Sequence, residues 1–217
     1  MIHDLLSRLP IFEWHSRSHS SHRAERLAQA VAELAPPSKS MLDIGSSDGL
    51  LARGVAGRIG VEEVRGVDVK LQPNALVEVV EYNGKELPFD DARFDLVTIC
   101  DVLHHASEPL GVMREAMRVL KSDGALIIKD HFLWGSWSNG VLLAMDVFGN
   151  YKAGVLVRGN YLTPPGWIDL VARAGAAIDR LVWPLQIHDL PIRLIARSEY
   201  QFAMRVRHAR RENGGGG

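Results

Sequence analysis

Short runs of apolar residues alternate along the chain with segments in which apolar residues recur every three or four positions. The runs are rich in β-branched residues and have the length of strands, whereas the periodic segments have the spacing of one helix face. The run FDLVTICDV at 94–102 is apolar nearly throughout, as expected of a strand covered on both faces of a parallel sheet. The predicted strands lie at residues 41–45, 64–69, 75–82, 94–102, 124–132, 177–183 and 199–208.

Four segments have helical periodicity, at residues 21–34, 48–60, 107–120 and 164–175. The third of them has Ser107 in place for an N-cap and Pro109 in its first turn. A turn at residues 121–124, KSDG, is predicted to separate this helix from the next strand. The alternation of strands and helices predicts an α/β fold in which helices cross over between parallel strands.

Composition narrows the class of protein but does not identify a partner. A formal net charge of −1 over 217 residues, without a dense basic stripe, argues against nucleic acid as a partner. The only cysteine, Cys100, cannot form an intramolecular disulfide, so an oxidising compartment is not indicated. No apolar stretch is long enough to span a membrane. We therefore expect a cytoplasmic protein whose oligomeric state the sequence leaves open.

The most informative local feature is the sequence LDIGSSDG, placed where the first strand turns into a helix. Gly45 permits a tight turn, and the unpaired N–H groups at a helix start suit a carboxylate ligand. Asp43 is predicted to lie at the strand's carboxyl end, in the crevice where open α/β sheets bind ligands. Asp68 ends the next strand about 20 residues later, where an acid can accept hydrogen bonds from both ribose hydroxyls. A loop-capping role for Asp68 is the simpler alternative.

In this order the motifs resemble the class I (Rossmann-like) S-adenosylmethionine-dependent methyltransferases. The resemblance covers residues 41–132 and is carried by LDIGSSDG, VDV, YNGKELPFDDARFDLV, DVLHH and RVLKSDGALIIKD. It implies a Rossmann-like, mostly parallel seven-stranded sheet with an antiparallel last strand and helices on both faces. It also implies S-adenosyl-L-methionine as cofactor and methyl transfer to a small or lipid-like acceptor.

The resemblance further implies roles for individual residues. The loop from Asp43 to Gly49 would hold the methionine part of the cofactor, Asp68 the ribose, and the 83–84 segment the adenine edge, while residues around Asp101 would close over the methionine part. The predicted cofactor-binding residues are Asp43, Gly45, Ser46, Ser47, Gly49, Asp68, Val69, Asn83, Gly84 and Asp101.

Two positions depart from the pattern of that family. Ser47 stands at the middle small position of the family's acidic-x-Gly-x-Gly-x-Gly loop, where glycine is usual, and Asn83 replaces the acid more often found beside adenine. A serine can still pack closely, and an asparagine carbonyl can accept from the adenine amino group. Neither departure removes the predicted site.

Histidines near the ends of the fourth and fifth predicted strands are candidates for a general base. If the acceptor atom is oxygen, a histidine could remove its proton near neutral pH. His105 is the first choice and His131 the second, with His104 alongside them. Asp130 could orient an imidazole, although adjacent strand residues point to opposite faces, which weakens a pair with His131. No metal site is predicted.

The chain is expected to divide into a core and accessory segments. Residues 1–40 are predicted to form an N-terminal helical cap and 41–132 the cofactor-binding core. The segment 133–163 is rich in Trp and Tyr among Gly, Ser and Asn, and we interpret it as an insertion that serves as a substrate lid. Residues 164–213 continue the core domain, and the glycine tail 214–217 is expected to be disordered.

Two other function classes remain open at this point. An NAD(P)-dependent oxidoreductase would use a similar first turn and ribose-binding acid, but LDIGSSDG lacks the spacing GxGxxG that accommodates a pyrophosphate. A cofactor-binding, non-catalytic interaction subunit would retain the same cofactor residues, because binding residues do not prove turnover.

Overall fold

The computed structural model describes residues 10–136, 138–143, 159–187 and 198–209. Its helices are α1 (Pro10–Leu34), α2 (Leu50–Ile59), α3 (Pro109–Val119) and α4 (Pro164–Arg173). Its strands are β1 (Ser40–Ile44), β2 (Glu63–Asp68), β3 (Glu78–Glu81), β4 (Phe94–Cys100), β5 (Leu120–His131), β6 (Ala176–Val182) and β7 (Gln201–His208). Single 3₁₀ turns lie at Leu103–His105 and Ser198–Tyr200.

The seven strands form one sheet in the order β3-β2-β1-β4-β5-β7-β6. Strands β1 to β5 pair in parallel, and β7 runs antiparallel to both of its neighbours, β5 and β6. The predicted α/β class and the antiparallel last strand are therefore confirmed. The strand order changes direction beside β1, which places a crevice at the carboxyl ends of β1 and β4.

Helices cover both faces of the sheet, as predicted. On one face, buried residues of α3 and α4 such as Met113 and Trp167 pack against Ile44 and Ile128. On the other face, buried residues of α1 and α2 pack against alternate residues of the same strands, including Met41 and Ile127. Burial on both faces explains the nearly continuous apolar runs of β1, β4 and β5.

Some predicted boundaries are wrong. Helix α1 begins at Pro10 and not at residue 21, and β3 is confined to four residues. The predicted turn at 121–124 lies within β5, where pairing jumps from Phe94–Leu120 to Leu96–Ala125. The extra residues form a bulge, and a Cβ on Gly124 would lie 2.8 Å from the Asp95 carbonyl oxygen.

Parts of two predicted segments fall outside the described residues. Of the predicted insertion, Trp137 and residues 144–158 are not described, and residues 138–143 are helical. The glycine tail 214–217 is also outside the described residues. The division of the chain into cap, core, insertion and tail stays a prediction. Among the described helices, none is long and apolar enough to cross a membrane.

Candidate active site

The turn after β1 is built from backbone that favours glycine. Gly45 and Gly49 have φ of 76° and 75°, and Ser47 between them has φ of 52°. A Cβ at Gly45 would lie 2.3 Å from Val102 Cγ2, so the strand end after β4 crosses directly over this turn. The close approach and the positive φ together require glycine at position 45.

The Asp68 carboxylate holds this turn in place at the end of β2. Its Oδ2 accepts a hydrogen bond from Ser47 N at 2.8 Å, and its Oδ1 accepts one from Lys70 N at 3.1 Å. The backbone N–H groups of Gly45 and Ser46 donate to Val67 O at 2.8 and 3.0 Å. Asp68 therefore has the loop-capping contacts of the simpler interpretation. Each carboxylate oxygen still has capacity for a further donor such as a ribose hydroxyl.

Asp43 lies deeper, at the carboxyl end of β1, where only 2% of it is exposed. Thr98 on β4 donates its hydroxyl to Asp43 Oδ1 at 2.6 Å. Burial raises the pKa of Asp43 to about 6, with a smaller upward contribution from Asp68 and opposing hydrogen bonds from Thr98 and Ser46. Asp43 thus loses its proton just below neutral pH. At higher pH its carboxylate is a buried anion beneath the turn.

The predicted adenine edge is partly assembled. Gly84 has φ of 76°, and a Cβ built on it would lie 3.4 Å from Val69 Cγ1, so these two predicted residues are adjacent. Val69 is 59% exposed. The Asn83 Oδ1 accepts from the backbone N–H groups of Lys85 and Glu86 at 2.8 and 2.9 Å. Its carbonyl is thus occupied by its own loop, which weakens the prediction that it accepts from adenine.

Asp101 follows β4 in a left-handed conformation, with φ of 58°. Its Oδ1 accepts from the Lys129 ammonium at 2.5 Å, and its Oδ2 accepts from the Arg23 guanidinium of α1 at 2.6 Å. Burial alone would raise the pKa of Asp101, but Lys129 and Arg23, with His131 and His104, hold it well below its ordinary value. Asp101 is therefore an anion that joins α1, β4 and β5.

Two of the three candidate histidines contact buried carboxylates. His131 Nδ1 lies 3.5 Å from Asp101 Oδ1 and 3.5 Å from Asp130 Oδ1. His104 Nδ1 is hydrogen-bonded to Asp130 Oδ1 at 2.7 Å, and both side chains are almost fully buried. His105 is half-buried, with its ring against that of His104 at 4.0 Å between centroids.

These contacts change the ranking of the candidates. The Asp130 carboxylate forms its short contact with the imidazole of His104 and not with that of His131. Burial and the Lys129 charge lower the pKa of His131, against upward contributions from Asp130 and Asp101. His131 is therefore neutral at pH 7 and can accept a proton, which favours it over His105.

The family model described as a methyltransferase domain matches residues 42–128. This segment contains the turn after β1, Asp68, Asp101 and most of β5. Over these residues the chain is similar to the class I S-adenosylmethionine-dependent methyltransferases. Members of this family use S-adenosylmethionine as methyl donor, as the sequence resemblance implied. The turn at Gly45, the acid at Asp68 and the exposed edge formed by Val69 and Gly84 fit such a nucleoside cofactor.

The curated relatives of this chain differ in acceptor atom. The chain is 31% identical over 135 residues to a sarcosine/dimethylglycine N-methyltransferase of Halorhodospira halochloris, a match that covers 57% of this chain and 48% of the relative. It is 29% identical over 117 residues to a ubiquinone biosynthesis O-methyltransferase of Xanthomonas campestris, covering 48% of this chain and 47% of the relative. The chain thus spans about half the length of the curated relatives it matches.

Solved structures share the fold. The YcgJ protein of Bacillus subtilis superposes with a TM-score of 0.62 at 16% identity, over 85% of this chain and 99% of that chain. At this identity the likeness supports the Rossmann-like methyltransferase fold and leaves the acceptor open.

Two polar residues of the candidate site, Arg23 and Lys129, were missed in the sequence, and a third, His104, was not selected. Arg23 lies on a helix predicted only as a cap, and its distance of 78 positions from Asp101 gives no sequence signal. His104 was considered but not chosen. Lys129 did carry a signal, because a lysine inside the apolar run GALIIKD is 0% exposed and needs an anionic partner.

The same cluster has the geometry of a metal site. One ligand atom from each of four side chains lies within 4.8 Å of the others, namely Asp101, His104, Asp130 and His131. Charge argues against a cation there, because the Asp101 carboxylate is already paired with Lys129 and Arg23. A divalent ion would lie beside a buried ammonium, where like-charge repulsion is strong. The charges favour the prediction of no metal, which stays a prediction.

Proposed function

We propose that this chain transfers the methyl group of S-adenosylmethionine to a hydroxyl oxygen of a small or lipid-like acceptor. The observation that carries the proposal is that the turn after β1 and a carboxylate-flanked imidazole, His131 at the end of β5, lie at the same edge of the parallel sheet. The O-methyltransferase from Xanthomonas campestris supports oxygen as acceptor, whereas the N-methyltransferase relative supports nitrogen. We further propose that the protein acts in the cytoplasm.

Cofactor binding is assigned to the carboxyl ends of β1 and β2. Asp68 is expected to accept from the ribose hydroxyls while it keeps its bonds to Ser47 N and Lys70 N. The buried Asp43 carboxylate provides negative charge beneath a cofactor that carries a positive sulfonium. Bound there, the cofactor supplies a methyl group that leaves a neutral thioether behind.

The chain's role in the transfer is to position the acceptor and remove its proton. Alignment of the acceptor oxygen behind the methyl group supplies much of the acceleration in such reactions. His131 is expected to take the hydroxyl proton as the oxygen–carbon bond forms, and Asp101 and Asp130 stabilise the resulting imidazolium. Because the pKa of His131 is lowered, it is a weak base, which favours an acidic hydroxyl such as a phenol, which ionises near pH ~10.

The proposal is tested first by calorimetry with S-adenosylmethionine, S-adenosylhomocysteine and NAD. We expect both adenosyl compounds to bind and NAD not to bind. Asp68→Ala should weaken S-adenosylmethionine roughly 10- to 100-fold, because it removes a charged hydrogen-bond acceptor. The control is Asp90→Ala, an exposed aspartate far from the turn in sequence, which should leave the affinity unchanged.

Unchanged affinity in a folded Asp68→Ala protein would contradict the ribose assignment, and tight NAD binding would favour an oxidoreductase. Turnover is measured with methyl-labelled cofactor and a panel of phenols, alcohols and amines. Labelling of amines alone would overturn oxygen as the acceptor atom. Binding without transfer to any of them would favour a non-catalytic interaction subunit.

A further inference from the structure

Among the residues that the structure describes, two buried polar atoms on neighbouring residues lack hydrogen-bond partners. They are Asp130 Oδ2 and His131 Nδ1, on consecutive residues at the end of β5. Asp130 is 0% exposed and His131 7% exposed. Buried polar atoms in folded proteins nearly always have partners, so a carboxylate oxygen and a neighbouring imidazole nitrogen left unpaired indicate a hydrogen bond that a small side-chain rotation would form.

The other oxygen of Asp130 is fixed. Its Oδ1 is bonded to His104 Nδ1 at 2.7 Å and accepts the backbone N–H of His131 at 2.8 Å. The same oxygen lies 3.5 Å from His131 Nδ1. A small rotation of the imidazole or the carboxylate would therefore convert this contact into a hydrogen bond.

His104 is held firmly enough to act as the anchor of this carboxylate. Its ring stacks on Tyr161 at 4.9 Å between centroids with an angle of 19°, and it meets His131 edge to face at 5.5 Å. Its carbonyl oxygen accepts from Asn160 N at 2.6 Å. Because 3% of His104 is exposed, it is also shielded from solvent.

Asp101 is equally close to His131 but is less available. The charged groups near this imidazole are Asp101, Lys129, Arg23, His104 and Asp130. Both oxygens of Asp101 already accept strong hydrogen bonds, from Lys129 and from Arg23. Asp130 has one oxygen without a partner, so it is the better acceptor for His131 Nδ1–H.

We propose that Asp130, anchored by His104, is the positioning residue that takes the Nδ1–H of His131 and leaves Nε2 as the proton acceptor. This inference rests on the proposed function. In the transfer, the bond from sulfur to methyl breaks as the oxygen–methyl bond forms, and the hydroxyl proton moves to His131 Nε2. The imidazolium keeps its Nδ1–H on the Asp130 carboxylate, which stabilises the new charge.

The test is nitrogen NMR of ¹⁵N-histidine-labelled full-length protein, without cofactor or acceptor. His131→Gln identifies the His131 signals. In the wild-type protein we expect the neutral His131 ring to be predominantly the Nδ1–H tautomer. In Asp130→Asn we expect at least half of the population to shift to the Nε2–H tautomer and the pKa of His131 to fall, because a carboxylate that favours the imidazolium is gone.

A matched control is Asp169→Asn on α4, an exposed carboxylate paired with Arg173, which should leave the His131 signals unchanged. An Nε2–H tautomer in the wild-type protein would overturn the proposal without any variant, so the test survives a variant that fails to fold. Unchanged tautomer and pKa in a folded Asp130→Asn protein would also overturn it. Cofactor calorimetry is independent of these signals, so a failure of the proposed function would be recognised separately.

Discussion

The two halves of the proposed active site, which we call the cofactor edge and the acceptor edge, are built in different ways. The cofactor edge, at the turn after β1 and the end of β2, consists of backbone in left-handed conformations held by one carboxylate, Asp68. The acceptor edge, at the ends of β4 and β5, consists of paired charged side chains that come from separate parts of the chain, including Arg23, Asp101 and the buried Lys129. A local turn can be seen in the sequence, whereas a charge cluster depends on the fold that brings its members together.

The buried or half-buried carboxylates of the two edges also differ in the direction in which their pKa is shifted. At the cofactor edge burial raises the pKa of Asp43, and only hydrogen bonds from neutral hydroxyls oppose this effect. At the acceptor edge the pKa of Asp101 lies well below its ordinary value despite burial, because cations surround it. The cofactor edge therefore has negative charge that no cation among the described residues neutralises and that can attract a cationic cofactor. At the acceptor edge, Lys129 and Arg23 already neutralise Asp101.

The largest expected effect separates catalysis from binding at the acceptor edge. His131→Ala removes the proposed base, so turnover of a hydroxyl acceptor should fall roughly 10²- to 10⁴-fold. The affinity for S-adenosylmethionine should remain within a factor of two. Product formation from methyl-labelled cofactor and calorimetry measure the two quantities. The control is His22→Ala, an exposed histidine of α1. Equal loss of both quantities would contradict the division of the site into two edges.

The next effect concerns the backbone of the cofactor edge. Gly45→Ala places a methyl group against Val102 in a strained conformation, with a cost of about 3 kcal/mol in the free energy of unfolding or in cofactor binding. Chemical denaturation measures the loss in the free energy of unfolding, and calorimetry measures the loss in the free energy of cofactor binding. Gly57→Ala on α2 is the control, because nothing lies within 4 Å of its Cβ position. The helix should gain roughly 0.5–1 kcal/mol there, so equal behaviour of the two variants would rule out close packing at the turn.

The smallest effect is a pH dependence that originates in Asp43. Because its pKa rises from 3.8 to about 6 on folding, the stability that it contributes is complete below pH 3.8 and is lost as pH rises through 6. Asp43→Asn should therefore increase the free energy of unfolding at pH 7 relative to pH 4, by up to about 3 kcal/mol. Denaturation curves at the two pH values measure this difference.

Asp95 provides a comparison of opposite sign. Lys121 and the Ser40 and Lys39 N–H groups lower its pKa against the effect of burial. Its contribution is present above its unfolded pKa and is lost as pH falls, so Asp95→Asn should destabilise the protein at pH 7. If both variants changed stability in the same direction at pH 7, the assignment of the Asp43 effect to burial would be wrong.

The cofactor edge was easier to predict from the sequence than the acceptor edge. The α/β fold, the turn after β1 and the position of Asp68 rest on short segments, in which apolar pattern, glycine and strand length act locally, and the fold was confirmed. The bonds of Asn83 to its own loop lie within three residues but depend on side-chain orientation, which apolar pattern does not encode.

The acceptor edge could be predicted only in part. Strand alternation argued against a pair between the Asp130 and His131 side chains. In the structure Asp130 Oδ1 nevertheless lies 3.5 Å from His131 Nδ1, although its shortest side-chain contact is with another histidine. The actual partner, His104, is 26 positions away on a 3₁₀ turn, and no periodicity indicates that contact. The predicted turn at 121–124 failed because tertiary pairing with β4 extended the strand through it.

Helix α1 also determines what can move around the site. Leu27, Ala28, Val31 and Leu34 are each at most 4% exposed, and Arg205 of β7 donates to the Leu34 carbonyl oxygen at 3.0 Å. Separation of this part of the helix from the core would expose these four residues to water. The cost would be roughly 1.5–3 kcal/mol of burial free energy for each large side chain. Arg23 lies one turn before Leu27, so its backbone belongs to a part of α1 that is held against the core. We therefore expect cofactor and acceptor to enter and leave the site around α1, without displacement of this helix from the core.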